Sequence, residues 1–94
     1  MFNIVFKPEA IRRLKTMKRY HAVTILDTIE RHLREEPEEA RQGRIKRLRG
    51  QEEATFRLRV GDYRVFYDVI EDRVEIIQIL HKSDTPSFYR EERR

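Results

Sequence analysis

No cysteine occurs in this 94-residue chain, so neither a disulfide framework nor a thiolate metal site is open to it, and a reducing compartment is permitted. The three glycines are scattered, and none builds a phosphate-cradling loop. The histidines at 21, 32 and 81 show no metal-ligand spacing, and the carboxylates are spread along helices and loops rather than paired on one strand. Metal, nucleotide-cofactor and glycosidase chemistries are therefore unsupported, and no cofactor is expected. The opening MFNIVFKPEA lacks a basic n-region and a long apolar h-region, and no stretch approaches membrane-spanning length. A soluble, cytoplasmic protein without a membrane partner is expected.

What is present is charge. Lysine and arginine total 21 against 17 aspartate and glutamate, a net +4 in a chain that is 40% charged. The excess is modest, but the number of cations suggests a polyanionic partner. The length argues for one domain over residues 1–94, large enough for a single core without covalent staples.

Residues 2–6, FNIVF, read as a strand, and Pro8 marks the first position of a helix. Ala10, Ile11, Leu14 and Met17 recur at helical spacing over roughly 8–19. Ala22, Ile25, Leu26, Ile29 and Leu33 do the same from His21 to Glu35, with Pro37 as the stop. EEPEEARQG is then a loop, and RIKRLRG a short basic strand or connector. Residues 54–60 and 63–70 read as strands joined at Gly61-Asp62, and VEIIQILHK as a third, beyond the turn EDR. The expected fold class is α+β: an N-terminal strand, a helical hairpin packed on one face, and an antiparallel meander sheet.

The stretch FRLRVGDYRVFYDV fixes a register. With Gly61-Asp62 as a two-residue loop, Arg59 falls opposite Arg64, Leu58 opposite Val65, Arg57 opposite Phe66 and Phe56 opposite Tyr67. One face then collects Phe56, Leu58, Val60, Tyr63, Val65, Tyr67 and Val69, a core surface. The other collects Arg57, Arg59, Arg64 and Phe66. Like charges directly opposite destabilise a strand pair by a few tenths to ~1 kcal/mol, so stability does not explain them. A bound phosphate does, because each charge-assisted hydrogen bond from arginine contributes about 1.5–3 kcal/mol. The alternative is that these arginines splay into solvent or pair with Glu52, Glu53 or Asp68.

At the exit of the last strand stand His81 and Lys82, with Ser83, Asp84, Phe88 and Tyr89 beyond. Arginine does not act as a base at neutral pH, so proton removal falls to His81, Tyr89 or Lys82 while the arginines hold phosphate. That division of labour suits phosphodiester cleavage. Lys46, Arg47 and Arg49 are candidates to extend the track along a phosphate backbone, with Phe66 as an aromatic neighbour; a solvated basic connector is the other reading of the first three.

The stretch LRGQEEATFRLRVGDYRVFYDVIEDRVEIIQILHK resembles the C-terminal half of the RelE/ParE superfamily of type II toxins, and the layout resembles that superfamily over essentially the whole chain. The RelE branch implies a ribosome-dependent endoribonuclease that cuts mRNA in the ribosomal A site and is neutralised by a cognate antitoxin. The ParE branch implies a toxin that poisons DNA gyrase. Arg57, Arg59 and Arg64 match the RelE pattern around the hairpin, and Lys82 and Tyr89 are the nearest matches to its final basic residue and tyrosine. RelE chemistry implies attack by the RNA 2′-hydroxyl on the adjacent phosphate, without metal or cofactor. A catalytically degenerate member that only binds its antitoxin is the third reading.

Overall fold

The computed structural model describes residues 1–39, 43–48 and 54–85. Strand β1 (Asn3–Phe6) leads through Lys7 into α1 (Pro8–Thr16), whose first helical position is the proline. Proline has no N–H to lose there and its φ is already helical. Met17 and Lys18 are extended, and α2 (Arg19–Leu33) follows. Both helices end short of the stretches their spacing suggests. Extended backbone at Met17 ends α1 and leaves the Met17 side chain packed against the core.

Strands β2 (Ile45–Arg47), β3 (Phe56–Val60), β4 (Tyr63–Ile70) and β5 (Arg73–His81) complete one five-stranded sheet, and a 3-10 turn (Lys82–Asp84) closes the described chain. The strand order is β1-β5-β4-β3-β2. The last four strands are an antiparallel meander, as expected, but β1 joins β5 in parallel, with Asn3 beside Arg73 and Phe6 beside Ile76. The sheet is therefore mixed. No described helix is long and apolar enough to cross a membrane.

One face of the sheet packs on the helices. Ala10 of α1 and Ile25, Ile29 and Leu33 of α2, the last three at four-residue spacing, meet Phe56, Leu58, Val60, Val65, Tyr67, Val74, Ile76 and Ile79. This is the apolar set that alternation assigns to the hairpin's inner face. The buried Tyr67 hydroxyl donates to Pro37 O and so ties the loop after α2 to the core. Burial pushes that phenol's pKa up, which keeps it a donor.

The opposite face carries a second, smaller apolar cluster of Ala54 and Phe66, with Leu48, Ile77 and Leu80 packed around them. A bulge creates it. Phe66 pairs with Gln78 but Tyr67 with Ile76, so β5 carries one extra residue, Ile77, at this point.

Candidate nucleic-acid interface

The β3–β4 hairpin has the register the two-residue loop requires, with Val60 opposite Tyr63, Arg59 opposite Arg64, Leu58 opposite Val65, Arg57 opposite Phe66 and Phe56 opposite Tyr67. Gly61 has φ +59 while Asp62 does not have positive φ, the pattern of a type II′ turn. On β2, Lys46 lies opposite Arg57. Two successive rungs on the face away from the helices thus hold Lys46, Arg57, Arg59 and Arg64. The next rung of that face holds Asp68 opposite Glu75. Its carboxylates are engaged: Asp68 Oδ1 accepts from Thr55 N at 2.7 Å, and Glu75 meets Arg73 at 2.8 Å and Lys7 at 3.8 Å. Charge on this face is segregated along the strands, with cations toward the turn.

The cations on this face and at its turn are held differently. Arg57 is 7% exposed, and its Nη1 donates to the carbonyls of Arg44 (3.2 Å) and Gly43 (3.4 Å). It stiffens the approach to β2 more than it offers itself to solvent. Arg64 Nη1 donates to Gly61 O and Tyr63 O, each at 2.9 Å, so its guanidinium curls over the turn. Lys82 reaches the same turn from the chain beyond β5: its N–H donates to Asp62 O at 2.7 Å and its Nζ lies 3.5 Å from Asp62 Oδ1. Arg59 is half-buried beside Arg64. Arg44, which sequence reading passed over, fixes Arg59 from the edge: Arg59 N donates to Arg44 O at 2.8 Å and Arg44 Nη1 donates to Arg59 O at 3.0 Å. Arg64 and Lys82 are thus brought to one turn, while the Arg59 guanidinium lies beside Gly43, toward the β2 edge.

Three expectations change. Phe66 is on the expected face, but it is fully buried in the second cluster and has no open ring face for a base. His81 pairs with Tyr63, which is on the helix side, so it does not join the arginines. Its Nδ1 accepts from Ser83 N at 3.2 Å and meets Ser83 Oγ at 2.9 Å, capping the 3-10 turn. Arg47 pairs with Phe56 and its Cζ stands 4.9 Å over that ring, again on the helix side. Arg49, Phe88 and Tyr89 lie outside the described residues. Among the described residues no group of three or more His, Cys, Asp or Glu side chains is placed to hold a metal.

On the helix side of the turn sequence reading missed a run of rings: Tyr20, His21, Tyr63 and His81 follow one another with centroids 5.2–5.4 Å apart. The signal was the adjacency of Tyr20 and His21 at the start of α2, but their meeting with β4 and β5 needs the tertiary packing.

Residues 4–86 match the family model described as the ParE toxin of type II toxin–antitoxin systems. The chain belongs to that family. Among solved structures, this ParE-family toxin is similar to the toxin–antitoxin complex RelBE2 from Mycobacterium tuberculosis, at 26% identity and TM-score 0.73 over 88% of this chain and 93% of that one. It is also similar to the archaeal RelE–RelB complex from Pyrococcus horikoshii OT3, at 21% identity and TM-score 0.72 over 88% and 97%. A mutant RelE from E. coli in the free state matches at 20% identity and TM-score 0.69 over 96% and 92%. A comparison with curated proteins returned no match. The ParE-family toxin therefore has the RelE-like α+β fold and sits within the RelE/ParE superfamily of type II toxins.

Proposed function

We propose that this toxin is a RelE-like endoribonuclease that arrests translation by cutting mRNA at the ribosome, and that a cognate antitoxin restrains it. The observation that carries this reading is the line of cations on the β3–β4 hairpin, with Arg59 opposite Arg64 one rung from the turn and both Arg64 and Lys82 bound to the turn itself. An RNA backbone laid along these cations accepts charge-assisted hydrogen bonds from guanidinium forks and an ammonium. The 2′-hydroxyl of the preceding nucleotide attacks the held phosphorus, the 5′-oxygen leaves, and a cyclic phosphate remains. Arg57 keeps the strand beneath this site rigid, and Lys46 extends the charge toward the sheet edge. Tyr89 is the candidate for proton transfer, since His81 lies on the other face. The antitoxin partner is supported by the RelB-bound state of two similar structures.

The family description favours a second reading, a ParE-like toxin that binds DNA gyrase. It gains from the anchoring of Arg57 on backbone carbonyls and from the lack of a histidine or tyrosine on the two cationic rungs, because binding requires no proton transfer.

Induced expression with separate labelling of new protein and new DNA distinguishes them. Prompt loss of protein synthesis, with mRNA ends bearing cyclic phosphate, is expected for the ribonuclease. Folded Arg64→Ala should lose the arrest, and a 2′-deoxy substitution at the cut site should bind without being cut. Loss of DNA synthesis with translation intact would replace the first reading by the second.

A further inference from the structure

The Gly61–Asp62 turn has a second side. Opposite the arginines it forms the rim of a pocket of about 320 Å³, open to solvent, whose other walls include Tyr20, His21, Val60, Tyr63 and His81. The rings form a series: Tyr20 meets His21 at 5.2 Å and 64°, His21 meets Tyr63 at 5.4 Å and 50°, and Tyr63 meets His81 at 5.4 Å and 85°. Tyr63 and Val60 belong to the edge of the core, but Tyr20 is 74% exposed. Core packing does not account for an aromatic ring standing at the mouth.

We infer that this pocket takes one unstacked nucleobase of the RNA strand whose phosphates lie on Arg59, Arg64 and Lys82. The inference rests on the RNA-directed reading above and adds to it a base-binding site on the other side of the turn. Two observations join them. Gly61 and Asp62 line the pocket and also anchor the cations, through Gly61 O to Arg64 and through Asp62 to Lys82. A strand whose backbone follows the cations across the turn therefore arrives at the pocket mouth. The lining also has the composition that single-stranded nucleic acid requires, π-faces beside a cationic track, since every base stacks on an aromatic ring whatever its sequence. The Asp62 carboxylate at the rim is an acceptor for an exocyclic amino group. A purine, with the larger stacking face, is the preferred occupant.

The test uses uncleavable 2′-O-methyl RNA hexamers carrying one 2-aminopurine, and the same hexamers with an abasic residue in its place. For the wild-type toxin the base-bearing hexamer should bind about tenfold tighter than the abasic one, with quenched fluorescence. Tyr20→Ala combined with His21→Leu should remove that difference and leave the salt dependence of binding intact. Arg59→Ala should do the reverse, lowering the salt slope by about 0.7, the value of one phosphate no longer neutralised, while the preference for a base persists. Equal affinity for the two hexamers, or a preference that survives Tyr20→Ala/His21→Leu, would overturn the inference and leave the ribonuclease reading standing. If no hexamer binds, AMP is titrated while the ring protons of His21 and His81 are followed by NMR. Shifts with AMP but not with ribose 5-phosphate would keep the pocket as a base site, and no shift would overturn it; the ribonuclease reading is decided separately by the labelling of new protein and new DNA.

Discussion

Arg59 and Arg64 face each other across the β3–β4 hairpin, one rung from its turn. Arg64 partly relieves the opposition by donating to Gly61 O and Tyr63 O. The pair is where stability and function are expected to pull in opposite directions.

Replacing one member exposes that conflict. Arg59→Thr removes the repulsion and installs a residue suited to strands, so urea denaturation should show a gain of a few tenths to ~1 kcal/mol. The same variant should lose growth arrest by at least tenfold in inducer titration. A destabilised Arg59→Thr would mean that the rung is already neutralised.

Phe66 separates packing from binding. Phe66→Ala should cost about 3–5 kcal/mol by opening a cavity under Ala54 and Ile77. Phe66→Leu should retain most of the stability and bind RNA within twofold of wild type. A large loss of RNA affinity in the folded leucine variant would restore the aromatic ring as a contact.

Glu71 is the one described non-glycine residue with positive φ, at 55°. A side chain in that region is strained by about 1 kcal/mol. Glu71→Gly should therefore raise the denaturation midpoint, or leave it unchanged where the added unfolded-state entropy of glycine offsets the relief. A clear fall would show that the Glu71 side chain contributes more than its backbone costs.

His32 gives the fold a pH dependence. Burial, and then the nearby Arg44 and Arg31, hold its pKa below the ordinary 6.5. The folded state therefore binds its proton more weakly than the unfolded chain does, so this contribution is complete above about pH 6.5 and is lost as pH falls below it. Thermal melts at pH 7.5 and 5.5 should show a lower Tm in acid, and His32→Gln should reduce the difference.

The hairpin was legible because two local rules agree: Gly61-Asp62 sets a two-residue turn, and strict alternation on both arms sets the faces. The helices were legible from Ile25, Ile29 and Leu33, whose spacing matches their burial. Beyond Ile70 the rule breaks on one residue. Counted from Arg73 without interruption, β5 would put Leu80 opposite Tyr63 and His81 on the arginine face. The extra residue at Ile77 shifts the pairing by one, so His81 itself meets Tyr63 and changes sides. The same bulge brings Ile77 over Phe66, which is why an apparent surface ring is buried. The near-continuous apolar run VEIIQILH gave no sign of where the bulge falls. Nor did FNIVF show that its partner is the last strand, since parallel pairing across the chain leaves no turn to read.

That parallel pairing has a consequence for synthesis. The partners of Asn3 and Phe6 are Arg73 and Ile76, so the first strand made waits for the last before it is hydrogen-bonded into the sheet. A nascent chain that stops short of β5 also lacks Val74, Ile76 and Ile79, which belong to the sheet's buried face between β1 and β4. Pairings this remote in sequence form late. The toxin accordingly completes its sheet only once the last strand has been made.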